Sequence, residues 1–316
     1  MLSAVLREVH GADARLERWD ACPLSKRGKQ RTVRFDFDAR LDGGGETRSF
    51  QWVGKFYERE NALQRVATIL RELATSDCSA RGGVVIPRVV ACHTPWRLLL
   101  LAFETGESVI RAIARHNGLA LQAIARALAA LHRTPVTLDT IRSPLTVLGD
   151  LRQRTAALCA RFPGETDSLC NCLGQLERQA PAMPAPPLFL HGDLGPSQLL
   201  WQIDRIVLMD FDKSTRGDAA WDLGNLLTQL RRLTLRKPGK LPGFNPLRRG
   251  LLEAYQQWSP HDRGLARRVA WYEGITLLRK IHFLASDTSR HNDAETMRQR
   301  QAEAMLLLRE LPPLVG

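Results

Sequence analysis

The spacing of apolar residues changes period along the chain. Residues 31–42, RTVRFDFDARLD, alternate, with Val33, Phe35, Phe37 and Ala39 on one face and charged side chains on the other. Period two with one apolar face predicts a half-buried antiparallel strand. GGGET at 43–47 predicts a hairpin turn, and RSFQWVGKFY at 48–57 its returning partner. The triple glycine joins two pairing strands and does not lead into a helix, so it reads as a turn and not as a phosphate cradle. In ERENALQRVATILREL, 58–73, the spacing becomes Leu63, Val66, Ala67, Leu70 and Leu73, an amphipathic helix with Glu60 on its inward-facing side. GGVVIPRVVACHT and WRLLLLAFE supply two more strands. Up to FETGES (103–108) the chain reads as an antiparallel sheet with one helix.

Beyond that point helical spacing dominates. LALQAIARALAALHR, 119–133, puts Leu121, Ile124, Ala125, Leu128 and Leu131 on one face. Further helices fill 147–180 and close at the Pro-rich PAMPAPP, 181–187. A short β segment spans 188–210, and helices resume from 219 to about residue 310. There is no internal repeat and no low-complexity tract. Trp52, Trp96 and Trp201 are assigned to packing.

Length and composition narrow the class. A chain of 316 residues buries a full core and suits two lobes, divided here as 1–104 and 105–316. Its 44% hydrophobic and 25% charged content is ordinary for a globular protein. No apolar run reaches the length of a membrane span, and the first twenty residues carry charges where a secretion signal needs an apolar stretch. The expected location is the cytoplasm. The cysteines at 22, 78, 92, 159, 170 and 172 lack metal-ligand spacing and read as reduced thiols.

Charge changes the picture more. A net charge of +12 and a pI near 10 favour a polyanionic partner, whether nucleic acid, a membrane surface or a phosphorylated ligand. The cations are spread along the chain without an aromatic-interleaved stripe, which weighs against nucleic acid. Only residues 231–249 concentrate them, with seven Lys and Arg, and a solvated loop is the default reading of such a run.

The chemistry-bearing residues fall in a definite order. Lys55 sits mid-strand in WVGKFY, and Glu60 follows on the helix. Far downstream, LFLHGDLGPSQLLW (188–201) holds His191, Asp193 and Gln198. VLMDFDKSTRGDAAWDL then holds Asp210 and Asp212. Alone, each has a bland explanation: a strand-edge solubility residue, a surface charge, an ordinary turn. Jointly they suit transfer of a γ-phosphoryl group from ATP. Lys55 would neutralise the α/β-phosphates with Glu60 pairing to it, and Asp193 would orient the attacking hydroxyl and accept its proton. Gln198 and Asp210, through hard oxygens, would bind Mg²⁺, and Asp212 is either a second metal contact or a helix N-terminal charge. His191 is expected to support the loop and not to act as acid or base.

This order resembles the protein-kinase-like family of aminoglycoside phosphotransferases, choline kinases and related small-molecule kinases, over roughly residues 20 to 230. HGDLGPSQLLW is similar to its catalytic loop, LMDFD to its metal-binding segment, and ALAALHRTP to its helix ending in Leu-His. The resemblance implies an α+β, two-lobed fold with an N-lobe antiparallel sheet plus one helix and a mainly helical C-lobe. It implies that Asp222, in GDAAWDLGNLL, braces the catalytic loop. LLLLAFETGES resembles the hinge between lobes, which would set adenine against the backbone of Ala102 and Glu104. The usual catalytic-loop Asn is Gln198 here, which keeps the carboxamide oxygen on a longer stem. Some sugar-directed branches of the family, such as the maltose kinases, show a similar Gln, so the resemblance tilts towards a sugar or glycoside acceptor. CPLSKRGKQ (22–30) is glycine-poor, leaving Ser25, Lys26 and amides near Gly28 to meet phosphate. Only about five residues separate Lys55 from Glu60, so that pair requires a tight turn.

The expected activity is therefore ATP- and Mg²⁺-dependent phosphorylation of a hydroxyl on a small molecule such as a sugar, amino sugar, aminoglycoside or amino alcohol. The alternative is a nucleotide-binding pseudokinase with a regulatory role. A basic nucleic-acid-binding protein would leave both acidic motifs unexplained. The basic charge counts against cationic acceptors. The run 231–249, following the bracing helix, is expected to help bind an anionic or sugar-phosphate-like one.

Overall fold

The computed structural model describes residues 1–24, 32–41, 47–80, 82–182, 186–286 and 294–311. The chain forms two compact units. The first is Met1–Gly106 together with Val207–Asp212, and the second is Glu107–Ile206 together with Lys213–Gly316. A single cut near residue 104 does not foresee that the short Val207–Asp212 segment belongs with the first unit.

The first unit contains α1 (Leu2–His10), β1 (Arg15–Pro23), β2 (Thr32–Arg40), β3 (Thr47–Phe56), α2 (Glu60–Ala74), the one-turn α3 (Asp77–Ala80), β4 (Val84–Val85), β5 (Val89–His93) and β6 (Leu98–Ala102). Its five-stranded sheet has the order β1-β2-β3-β6-β5, with every neighbouring pair antiparallel. The alternation in β2 is realised: Phe35, Phe37 and Ala39 are buried, and the Phe37 ring meets Phe50 and Trp52 at centroid distances of 5.3 and 4.6 Å. Leu2, Val5 and Leu6 of α1 complete that core. The i, i+3, i+4 spacing of these three was a legible helix signal that the sequence reading did not use. Of the expected hairpin turn, residues 43–46 lie outside the described residues, but the strands it joins pair as read, with Ala39 opposite Arg48. Trp52 is buried as expected. Trp96 is not: in a one-turn helix between β5 and β6 it is 52% exposed.

The second unit contains β7 (Glu107–Ser108), α4 (Val109–His132), α5 (Pro144–Arg161), α6 (Thr166–Arg178), β8 (Leu188–Leu190), β9 (Leu199–Gln202), β10 (Arg205–Leu208, whose last two residues belong to the first unit), β11 (Thr215–Gly217), α7 (Ala220–Arg236), α8 (Phe244–Trp258), α9 (Leu265–Ser286) and α10 (Ala294–Leu308). Leu121, Ile124, Ala125, Leu128 and Leu131 of α4 are all buried, as their spacing predicts. β8 and β11 pair antiparallel, with Leu190 opposite Thr215. Cys170 does not face Cys172 but lies 3.9 Å, sulfur to sulfur, from Cys159 of α5.

The run 231–249 is not the solvated loop that its composition suggests. α7 continues to Arg236 and α8 begins at Phe244, so only Lys237–Gly243 connects them. Arg231 pairs with Glu310 at 2.9 Å, Arg232 with Glu303, and Arg248 with the buried Glu273 at 2.8 Å. A charge run looks solvated on paper because the acids that neutralise it are distant in sequence.

α7 approaches α9 at Gly224. A Cβ there would lie 2.9 Å from Tyr272 Cβ and 3.1 Å from the Glu273 nitrogen. Replacing Gly224 with Ala should cost about 1–3 kcal/mol by forcing the helices apart. It should therefore lower the urea midpoint, and an unchanged midpoint would contradict this close approach.

Candidate active site

In the first unit, Lys55 lies on the central strand β3, not at a sheet edge. Strand alternation turns it away from the Phe35–Trp52 face, and only 9% of the residue is exposed. Its ammonium is held by two carboxylates, Asp210 Oδ1 at 2.6 Å and Asp212 Oδ1 at 2.7 Å. The Tyr57 hydroxyl donates to Asp212 at 3.0 Å, and Arg65 donates to the Asp212 carbonyl at 3.2 Å. Burial, followed by the Asp212 charge, pushes the Tyr57 phenol far above its ordinary value, so it stays a donor. Asp210 adopts a left-handed backbone with φ of 70°, a conformation costly for a non-glycine residue and concentrated at functional sites. Asp212 sits in the first turn of a one-turn helix, Phe211–Lys213, as well as gripping Lys55.

Glu60 corrects the sequence reading. It is the first residue of α2, is exposed, and makes no ion pair with Lys55. The apolar stripe begins only at Leu63, and the helix spacing was extrapolated one turn too far. The acids that grip Lys55 come from the Asp-Phe-Asp segment instead. Ala102 ends β6, where its N–H donates to Arg88 at 2.9 Å, while the Phe103 N–H donates to Gln51 at 3.1 Å and Glu104 follows, partly buried. Ser25, with Lys26 and Gly28, lies outside the described residues.

In the second unit, the His191–Asp193 loop hangs from one carboxylate. Asp222, in the first turn of α7, is fully buried. Its Oδ2 accepts from the His191 N–H at 2.7 Å and its Oδ1 from the Gly192 N–H at 2.9 Å. His132, at the end of α4, contacts Oδ2 through Nε2 at 3.2 Å, and its Nδ1 meets the Tyr255 hydroxyl at 2.8 Å. An ionised carboxylate only accepts, so Nε2 carries a proton. Burial alone would raise the Asp222 pKa, but the His132 bond and charge, the His191 charge and the Gly192 N–H outweigh it and leave the carboxyl below the ordinary aspartate value.

The other side of the loop is equally fixed. Gly192 has φ of 86°, and a Cβ there would run into the Lys213 carbonyl, so this position demands glycine. The Gly192 carbonyl accepts from Trp221 Nε1 at 3.0 Å and from Arg142 Nη1 at 2.8 Å. Arg142 is placed by the 140–142 segment pairing along β11 and by the Ser143 capping box that opens α5. Asp218 caps α7 through the Ala220 N–H and is pinned by Arg268. Against this frame Asp193 is exposed, and Gln198, in the next turn, is partly buried with its oxygen accepting from Ser197 at 3.0 Å. Tyr57 was within reach of sequence reasoning, since it lies two residues after Lys55. Arg142, Trp221 and the Asp222–His132 pairing join distant segments and carry no local signal.

The sequence matches, over residues 27–271, the family described as the phosphotransferase enzyme family. The chain belongs to that family. As a member it is an enzyme, a phosphotransferase of the small-molecule kinase type. Its fold is similar to that of a thermostable aminoglycoside phosphotransferase mutant in the apo form (15% identity, 98% of both chains covered, TM-score 0.62). It is also similar to a macrolide 2'-phosphotransferase from Brachybacterium faecium (20% identity, 96% of this chain and 97% of that one, TM-score 0.56). A third likeness is to an ethanolamine kinase from Plasmodium vivax (13% identity, 95% and 82%, TM-score 0.59). A search of curated proteins finds no match. Among the described residues no helix is long and apolar enough to cross a membrane.

For this phosphotransferase the Asp222 clamp has a measurable consequence. Replacing Asp222 with Asn leaves one of two loop N–H groups facing an amide donor and should cost about 3–5 kcal/mol. Because the folded carboxyl titrates below the unfolded one, its stabilisation is complete above the ordinary aspartate value of 3.8 and fades as pH falls below it. The gap between wild type and Asp222→Asn in urea melts should therefore shrink on acidification. A pH-independent gap would contradict an ionised Asp222.

Proposed function

We propose that this enzyme transfers the γ-phosphoryl group of ATP to a hydroxyl of a small molecule, with Asp193 as the catalytic base. The observation that supports this most is the loop itself. Both amides beside Asp193 are tied to a buried carboxylate, while the Asp193 side chain is left exposed for substrate. A rigid backbone holding a reactive carboxylate is what positioning a hydroxyl for in-line attack requires. The acceptor hydroxyl donates to the Asp193 carboxylate, which takes its proton as the new oxygen–phosphorus bond forms.

In the first unit, Lys55 is the group assigned to the α/β-phosphates. Its two carboxylate partners fix the ammonium in place. Adenine is assigned to the backbone at Ala102 and Glu104. Asp210 and Asp212 already converge on one cationic point, the kind of hard-oxygen set that Mg²⁺ takes. Among the described residues no group of three or more His, Cys, Asp or Glu gathers as a metal site, which fits an ion that takes few protein ligands and completes its shell with phosphate. We assign Mg²⁺ to Asp210, Asp212 and the Gln198 carboxamide oxygen. When bound, the ion would neutralise charge on the transferring phosphoryl group. A related aminoglycoside phosphotransferase mutant of 14% identity is seen in a ternary complex with ADP and hygromycin B, a nucleotide together with an acceptor.

Replacing Asp193 with Asn should lower acceptor-dependent ADP release by at least about 10²-fold with little change in melting temperature. Release at the wild-type rate would overturn the assignment of the base. Nucleotide binding without turnover of any acceptor would favour the pseudokinase reading.

A further inference from the structure

The seven cations of 231–249 are largely committed to structural acids, but a second basic set, invisible in the sequence, surrounds the catalytic loop of the second unit. Arg142 lies on the Trp221 ring, its guanidinium 4.1 Å from the centroid, and spends one hydrogen bond on the Gly192 carbonyl. Its other guanidinium donors have no hydrogen-bond partner among the described residues. Arg279 of α9 approaches the same ring at 5.5 Å and donates to Asp150 at 2.7 Å. Arg154, one turn beyond Asp150 on α5, shares that carboxylate at 2.8 Å. Lys280, beside Arg279, makes no hydrogen bond or ion pair among the described residues and rests 4.4 Å from the Phe283 ring centroid.

The balance is positive. Of the four cations Arg142, Arg154, Arg279 and Lys280, only Arg154 and Arg279 pair with a carboxylate, that of Asp150. Arg142 also feels Asp222, which is bonded to the loop amides, and Lys280 feels Glu303, which is paired with Arg232. Partial burial makes this costly. Burial, then the Arg232 charge, presses the Lys280 pKa down to about 8, with Glu303 and Asp193 opposing and Arg300 adding to it. Burial likewise holds Arg142 and Arg279 below the ordinary arginine value. Arg142 bonds the carbonyl of Gly192, the residue before Asp193, Arg279 shares the Trp221 ring with Arg142, and the Asp193 charge acts on these two and on Lys280. Half-buried cations with unspent donors are stabilised by an anion, and such a cluster repels the ammonium groups of aminoglycosides or amino alcohols.

We propose that the acceptor carries an anionic group, a phosphate or a carboxylate, which Arg279, Lys280 and the unspent donors of Arg142 hold while its hydroxyl is presented to Asp193. The proposal rests on the phosphotransfer reading and narrows its substrate class. It also moves the anion-binding role from the 231–249 run to residues brought together by α5, α7 and α9.

The test titrates the full-length protein, saturated with ADP to fill the nucleotide's own phosphate site, with four probes: glucose 6-phosphate, glucuronate, glucose and glucosamine. Calorimetry should show at least one anionic probe binding about tenfold tighter than glucose, with glucosamine the weakest, a tenfold ratio being about 1.4 kcal/mol. The phosphate and carboxylate arms identify which anion is preferred. Lys280→Gln and, separately, Arg279→Gln should bring the anionic-to-neutral ratio within about threefold. The second variant guards against misfolding of the first, and melting curves check both. Indistinguishable affinities, no binding by any probe, a preference for glucosamine, or an anionic preference that survives in both folded variants would overturn the proposal. The two readings fail separately. Anion preference in a protein that transfers no phosphoryl group sinks only the phosphotransfer reading, and transfer to neutral acceptors without anion preference sinks only this one.

Discussion

A single buried carboxylate carries the geometry of the second unit's active loop. Asp222 accepts two consecutive backbone N–H groups and is held from behind by His132, itself in contact with Tyr255. Segments far apart in sequence meet at that one side chain, namely the end of α4, the loop after β8 and the start of α7, and the last turn of α8 joins them through the contact of Tyr255 with His132. A charge buried this completely is tolerable only when every lone pair is engaged, so the loop cannot move without stranding it. Order at residues 191 and 192 is thereby imposed on the exposed Asp193 that follows them.

The first unit solves a related problem with the charges inverted. There a largely buried ammonium, Lys55, is satisfied by two aspartates and braced further by Tyr57. Asp210 reaches it through a backbone conformation that costs energy, and such expense is retained where placement of a functional group matters more than stability.

Much of this was legible in the chain. The alternation of Phe35, Phe37 and Ala39 gave the strand and its buried face. The spacing from Leu121 to Leu131 gave the helix whose end supplies His132. The Lys55, His-Gly-Asp and Asp-Phe-Asp positions could be picked out because their residue types suit phosphoryl transfer and their order resembles that of the family. What the sequence could not reveal was pairing at a distance. Glu60 follows Lys55 closely along the chain, yet the acids that hold Lys55 are some 155 positions away. The 231–249 run looked solvated because Glu273, Glu303 and Glu310 are not local to it. Arg142 and Arg279, isolated in sequence, become neighbours only across the Trp221 ring.

The central claim is that the braced loop presents Asp193 for attack of an alcohol on the ATP γ-phosphorus. Phosphorus-31 NMR of the enzyme with Mg-ATP and a panel of sugars, sugar acids, sugar phosphates and amino alcohols tests it most directly. The account predicts a new phosphomonoester resonance growing in step with ADP for at least one acceptor. ADP accompanied only by inorganic phosphate, or ATP left intact across the panel, would contradict it.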